Sequence, residues 1–309
     1  MKKIISIFSC ALLLSTAVSC DWFQLDNQEG WNAKVQGKII DTVTGQPVQS
    51  EQGRTITVVE KGWDTEANQG WRIKNDGTYR NDLVFAGEYV MNTMSGANFV
   101  ADPQPFTLNK GENTVDFKVT PFVTISNASV TVEGGKIKAT CKVKANFPAD
   151  KINNIGRVML CAYPDRFVKV SANLCEKDPG AVVKDVSPAT EQTVTLVIDP
   201  QIKDADGNLI NAQEFQYDRV HYVRIAAIGA HYDVVPEYWE TIEDWGRLDW
   251  DAFNADGQPW DRIADYLPKV FHPAEYAPDG QFNPSGAYNY SPVFKVDLKS
   301  GSVTEVTDW

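Results

Sequence analysis

Between residues 32 and 120, apolar and polar positions alternate in short runs broken by Gly, Pro, Asn and Asp. This is the two-residue period of strands with one face buried. Val35, Gly37, Ile39 and Asp41 make the first run and lead into the turn Thr44-Gly45-Gln46-Pro47-Val48. Runs at 54–60, 70–74, 78–80, 88–94 and 114–120 follow, with Asn75-Asp76-Gly77 as a turn and Val115, Phe117 and Val119 on one face. Six or so short strands without a convincing helical period predict a β-sandwich.

A second domain is expected over 121–309. Strand patterns occupy 122–125 and 128–132, then turn at Glu133-Gly134-Gly135 into 136–145, where Lys138, Lys142 and Lys144 point outward. Runs at 157–163, 192–198, 219–228 and 291–298 complete a fibronectin-like or immunoglobulin-like sandwich, so the chain reads as all-β, with two sandwiches in tandem. The exception is the stretch at about 229–290, which has no clear alternation. Loops of that length are functional or disordered, and Trp239, Trp245, Trp250, Phe253 and Trp260 give this one an aromatic load that disordered segments avoid. Pro259, Trp260, Ile263 and Leu267 have helical spacing and Pro268 is a stop, which predicts one short helix with Trp260 on its inner face.

The first twenty residues show a different pattern. Lys2 and Lys3 precede an apolar run from Ile4 to Val18, followed by Ser19 and Cys20. This is a secretory signal over 1–19, too short for an ordinary spanning helix. Ala17-Val18-Ser19-Cys20 resembles a lipobox, which makes Cys20 the expected lipidation site and the chain an outer membrane lipoprotein, facing the cell surface rather than the periplasm. The plainer alternative is cleavage near Ser19 with Cys20 an ordinary thiol. The polar residues 20–31 read as the lipidated tether. Removing Lys2 and Lys3 with the leader moves the formal charge from −12 to −14. An acidic field of this kind repels nucleic acid, so the expected membrane contact is through the N-terminal lipid alone. No later segment is long and apolar enough to cross a bilayer.

The first domain carries a resemblance. Val35, Gly37, Ile39, Asp41, Thr44, Gly45, Pro47 and Val48, with Asp76-Gly77-Thr78-Tyr79 and Gly87-Glu88-Tyr89, resemble the carboxypeptidase regulatory-like domain, a transthyretin-like sandwich. Gln49-Ser50-Glu51-Gln52, Glu60-Lys61-Gly62-Trp63 and Leu83-Val84-Phe85-Ala86-Gly87 are similar, more narrowly, to a Bacteroidota lipoprotein family of unknown function. The resemblance implies a scaffold or spacer, a second β-domain, and association with starch-utilisation-type polysaccharide uptake systems and their outer-membrane transporter subunits.

Candidate chemistry favours binding over catalysis. Trp239, Trp245 and Trp250 are the expected ligand platforms, with Asp249 and Asp251 as polar partners. Aromatic faces beside carboxylates suit an oligosaccharide, whose apolar C–H face stacks while its hydroxyls donate to the acids. The alternative is that these rings fill a small subcore. Trp63 and Trp71 are read as a clamp over the first sandwich, with a second patch as the other option. His221, His231 and His272 lack metal-protease spacing, no nucleophile elbow occurs, and no catalytic residue is assigned. Glycoside hydrolysis by two opposed acids is the less favoured class. Asp204, Asp206 and Asn208 around Gly207 fit a hairpin turn better than a calcium loop, so no metal or cofactor is expected. Three cysteines remain beyond Cys20. Cys141 reads as a core residue, and Cys161 and Cys175 could join across a hairpin. The expected role is a non-catalytic accessory protein of a glycan-uptake system, with an assembly or adhesion module lacking glycan binding as the alternative.

Overall fold

The computed structural model describes residues 30–149, 151–216, 219–230, 232–235, 238–272, 275–278 and 287–309. Cys20 and His231 lie outside them. In the first half the strands are β1 (Ala33–Asp41), β2 (Thr55–Glu60), β3 (Asn68–Arg72), β4 (Thr78–Val84), β5 (Gly87–Met94), β6 (Asn98–Phe99), β7 (Gln104–Leu108), β8 (Gly111–Thr114) and β9 (Phe117–Pro121). A sheet of order β4-β1-β9-β6, with β8 also on β1, faces a sheet of order β3-β2-β5-β7. Val35, Ile39, Ile56, Val58, Tyr79, Tyr89 and Phe117 fill the space between. Trp71 is 3% exposed in this core, among Tyr79, Tyr89 and Phe106, whereas Trp63 is exposed, so the two tryptophans form neither a clamp nor a patch.

The run expected at 114–120 is split in the structure. β1 pairs in parallel with β8 and then with β9, and the chain breaks step between them at Val115 and Asp116. There the Asp116 carboxylate accepts the Lys38 N–H at 2.8 Å, taking the place of a ladder carbonyl. The Val115 carbonyl turns toward Gly37, where a Cβ would lie 1.7 Å from its oxygen, and accepts the Tyr79 hydroxyl at 2.7 Å. Only glycine permits that approach.

The second half contains β10 (Val123–Glu133), β11 (Lys136–Ala145), β12 (Asn154–Tyr163), β13 (Val182–Val186), β14 (Gln192–Ile198), β15 (Val220–Ala230), β16 (Tyr232–Val235), β17 (Tyr238–Thr241), β18 (Lys269–His272), β19 (Glu275–Pro278), β20 (Asn289–Tyr290), β21 (Phe294–Asp297) and β22 (Ser302–Glu305). The sheet β10-β11-β14 packs on a sheet of order β13-β12-β15-β21-β22, with β20 also on β15. β11 alternates as its sequence does, with Ile137, Ala139, Cys141 and Val143 inward. The runs at 122–125 and 128–132 are one strand, interrupted by a bulge between Ser126 and Ser129 with Asn127 at φ 50°.

β15 is covered on both faces, so its sequence cannot alternate. Val223, Ile225 and Ala227 face the sandwich core, and Ala226 joins a second cluster with Met159, Cys161, Tyr290 and Val293. On that second face Arg224 is fully buried. It donates to the Ser291 carbonyl through Nε (3.2 Å) and Nη2 (2.9 Å), and to the Ser50 carbonyl of the first domain through Nη1 (2.8 Å). Its guanidinium lies 4.1 Å from the Tyr290 ring centroid, and Tyr290 donates to Glu51, which pairs with Arg54. The two sandwiches are therefore joined through a buried cation.

Cys141, Cys161 and Cys175 are buried free thiols, so the 161–175 link does not form. The Cys175 thiol instead donates toward the Leu160 carbonyl and Asn173 Oδ1, and burial pushes the Cys161 thiol up to about 12. At 203–209, Asp204 Oδ1 accepts the Asp206 and Asn208 N–H groups and Gly207 sits at φ 85°, which is turn chemistry. Among the described residues no three His, Cys, Asp or Glu side chains gather as a metal site.

Candidate functional site

The stretch after β15 builds a small subdomain on a hairpin. β17 pairs antiparallel with β18, and the Ile242 N–H donates to the Pro268 carbonyl, which returns the chain to its start. Three short helical turns fill the loop. The first, Trp245–Arg247, is capped by Asp244, which accepts the Gly246 N–H and pairs with Arg247 Nε at 2.6 Å. The second is the helix α1 (Trp250–Ala255), whose N-cap is Asp249, accepting the Ala252 N–H at 3.0 Å. The third is a 3₁₀ turn, Trp260–Tyr266, between Pro259 and Leu267, where the helical spacing predicts a helix. Gln258 at φ 57° and Gly257 at φ 78° make the corner between the last two.

The fully buried positions of this subdomain are not tryptophans. Leu248, Phe253 and Leu267 are its buried residues, with Ile263 and Tyr266 packed against them. Phe253 is the centre: Trp250, Trp260 and Tyr266 meet its ring edge-on, with centroids 5.9, 5.0 and 5.4 Å away. Trp239 is 64% exposed, Trp245 51%, Trp250 47% and Trp260 62%. The expectation that Trp260 faces inward is therefore overturned. The segment is 3₁₀ and kinked at Arg262, where φ is −122°; Ile263 and Leu267 take its inner positions and Trp260 leans on Phe253 from outside.

The acids divide by role. Asp249 is spent on capping α1, whereas Asp251 is exposed in the first turn with no hydrogen bond among the described residues. Asp256 accepts the Tyr266 hydroxyl at 2.5 Å and Arg262 Nη2 at 3.0 Å. The Tyr266 hydrogen bond, helped by Arg262, holds the Asp256 carboxyl below the usual carboxylate range. Arg247 does the same for Asp244. Sequence reasoning missed the Asp256–Tyr266–Arg262 group. Its one visible signal was the turn composition of Asn254, Asp256 and Gly257, which fits a metal loop equally well. The structure brings Trp250 together with Trp260 and places Trp239 on β17 and Trp245 at the head of the first turn.

No curated protein sequence matches the chain. Among solved structures, a DUF3823 family protein from Bacteroides ovatus aligns with a TM-score of 0.52 at 18% identity, over 86% of this chain and 99% of the other. A DUF3823 family protein from Parabacteroides merdae aligns with a TM-score of 0.51 at 22% identity, over 65% of this chain and 92% of the other. At these identities the likeness concerns the fold. A Bacteroides uniformis protein provisionally named a carbohydrate binding protein aligns with a TM-score of 0.49 at 22% identity, over 81% of this chain and 100% of the other. Residues 33–120 match the model of the N-terminal domain of DUF3823, a protein family of unknown function.

Proposed function

We propose that the protein is a non-catalytic, lipid-anchored accessory component of a glycan-uptake system that captures oligosaccharide on the subdomain between β17 and β18. The observation that carries this reading is the exposure of Trp239, Trp245, Trp250 and Trp260 on one small subdomain whose buried residues are Leu248, Phe253 and Leu267. Indole faces left in water are costly in apolar area and suited to the C–H faces of sugar rings. Phe253 fixes Trp250 and Trp260 from beneath, so a ligand loses little of its binding energy to ordering them. Asp251 beside Trp250 supplies an acceptor for hydroxyls.

Two of the acids beside the tryptophans are poorly suited to bond breaking. A glycosidase acid must hold its proton near neutral pH and so needs a raised pKa. Asp244 and Asp256 are moved the other way by their partners. Cys20, outside the described residues, is the proposed lipid anchor, placing the protein on the outer membrane with its face to the cell surface. The two sandwiches serve as spacer, the first of them related to carboxypeptidase regulatory-like domains.

Affinity electrophoresis through gels containing a panel of polysaccharides tests the reading. At least one polysaccharide should retard the chain, and Trp250→Ala combined with Trp260→Ala should abolish the retardation. Unchanged mobility in every gel sinks the proposal. Pull-down of a transporter subunit that depends on residues 237–267, without any glycan effect, would assign the insertion to protein contact instead.

A further inference from the structure

Where β9 hands over to β10, the two sandwiches enclose a cleft of about 450 Å³. The turn after β1 and Asn98 form one wall, and residues 123–128 with Asn289, Tyr290 and Pro292 form the other. A volume of this size at a domain junction lies in the range of small-molecule sites. Its described lining contains no lysine, arginine or histidine. The one carboxylate, Asp41, is 6% exposed and turns Oδ1 onto the Val43 and Thr44 N–H groups, at 2.7 and 3.4 Å.

What remains is neutral and rich in both donors and acceptors. The side chains of Gln46, Gln49, Ser126 and Asn127 line the cleft and make no hydrogen bond among the described residues. Each carboxamide offers two donors and an acceptor, and each hydroxyl one donor and two acceptors. Asn289 is held in place by accepting the Val123 N–H at 3.1 Å. Pro47, Val48, Ile125 and Pro292 add apolar surface. An anion would find no counter-charge here and would be desolvated without recompense, and the one carboxylate a cation would meet, Asp41, already carries two N–H donors on Oδ1. An extended peptide would have to add to β10, the edge of its sheet, at the place where the Ser126–Ser129 bulge and Asn127 at φ 50° break the ladder. A compact molecule that both donates and accepts through hydroxyls meets neither obstacle.

We propose that this interdomain cleft binds a neutral hydroxylated ligand, a mono- or disaccharide, at a site separate from the tryptophan subdomain. Its occupant would touch both sandwiches, so binding would couple to their junction.

Isothermal titration with glucose, galactose, mannose, maltose, cellobiose and xylobiose tests this on the full chain carrying Trp250→Ala/Trp260→Ala, which removes the tryptophan platforms, and on the same chain with Gln49→Ala/Ser126→Ala added. The expected result is binding of at least one of the six to the tryptophan-free chain, weakened at least about tenfold when the cleft substitutions are added. Gln49→Glu, which keeps the side-chain shape and adds charge, should weaken it as well. The idea fails if none of the six binds the tryptophan-free chain or if the cleft substitutions leave that binding unchanged. Because polysaccharide retardation reads the tryptophan subdomain, that test and this one can fail independently.

Discussion

Replacing Arg224 with methionine is the sharpest test of how the two sandwiches are held together. The guanidinium is fully buried, and burial lowers its pKa to about 10. Methionine keeps most of the volume and removes three donated hydrogen bonds, two to the Ser291 carbonyl and one to the Ser50 carbonyl. Two buried acceptors then lose these donors at a cost of about 1–3 kcal/mol each. The contact with the Tyr290 face, 4.1 Å away, is worth about 1–2 kcal/mol more when desolvated. Against this stands relief of the desolvation of the cation, which in other buried ion sites cancels much of the loss. The net expected destabilisation is about 2–4 kcal/mol. Because the Ser50 bond is the one of these three that crosses between domains, beside the Tyr290–Glu51 bond, the loss should fall on their coupling. Urea unfolding followed by tryptophan fluorescence and near-ultraviolet circular dichroism should change from a single transition to two separated ones. A variant within about 0.5 kcal/mol of the parent, still unfolding in one step, would show that the latch contributes nothing and that the sandwiches are coupled by apolar contact alone.

Other substitutions probe single links of the fold. Gly37→Ala places a Cβ 1.7 Å from the Val115 oxygen, forcing β1 away from the β8–β9 step and breaking the Tyr79 hydrogen bond; a loss of at least about 3 kcal/mol is expected in chemical denaturation. His221 is fully buried, stacks on Phe215 at 4.7 Å and has neither ring nitrogen in a hydrogen bond, although the Glu214 backbone lies close enough to act on it. Burial, with Arg219 nearby, lowers its pKa, so the unfolded chain takes up the proton first. Its contribution to stability is complete above the ordinary histidine value of about 6.5 and declines as pH falls from there toward the lowered folded value. His221→Phe should flatten that decline in thermal midpoints between pH 7 and pH 5 and raise stability by about 1–3 kcal/mol; an unchanged pH slope would refute it. Asp249→Ala removes the cap of α1 and should cost about 1 kcal/mol, seen as faster amide hydrogen exchange over residues 250–255 with the sandwich amides unaffected.

Much of the fold was legible because single-faced strands write their geometry into alternation. β11 is the clearest case, with Ile137, Ala139, Cys141 and Val143 buried and lysines between them. The Asn75-Asp76-Gly77 turn was legible for a local reason, since Gly77 sits at φ 77°. What stayed hidden depends on partners distant in sequence. β15 reads as a nearly continuous apolar run because both its faces are covered, and the meaning of Arg224 appears only when Ser50 arrives from the other domain. Asp178 is similar: nothing local marks it, yet it is 1% exposed and ties the Gly180 N–H, the Asp199 N–H and the Asn211 carboxamide together. In the candidate site, helical spacing found the 3₁₀ turn but not its inner face. Which ring went inside depended on Phe253, three residues after Trp250, and no periodicity over six helical residues can rank one aromatic above another.

The distribution of tryptophan separates stability from function. Trp71 shows what this fold does with an indole that it uses for packing: the ring is 3% exposed and touches Tyr79, Tyr89 and Phe106. The four indoles on β17 and in the loop from it to β18 are treated differently, although the same local economy was open to them. Their subdomain is small, and small cores gain most from large rings. Yet it buries two leucines and one phenylalanine and leaves every tryptophan about half in water or more. Chance exposure would scatter such rings over the surface. Here two of them share one buried support and the other two stand within the same hairpin. Under the proposed reading a ligand covers the outer faces of these rings, and the acids beside them set what that ligand can be. Asp244 and Asp256 are already matched by Arg247 and Arg262, while Asp251 is not. The surface is therefore apolar plates with spare acceptors and little unpaired positive charge, which matches a hydroxylated ring better than an acidic protein or a phosphate.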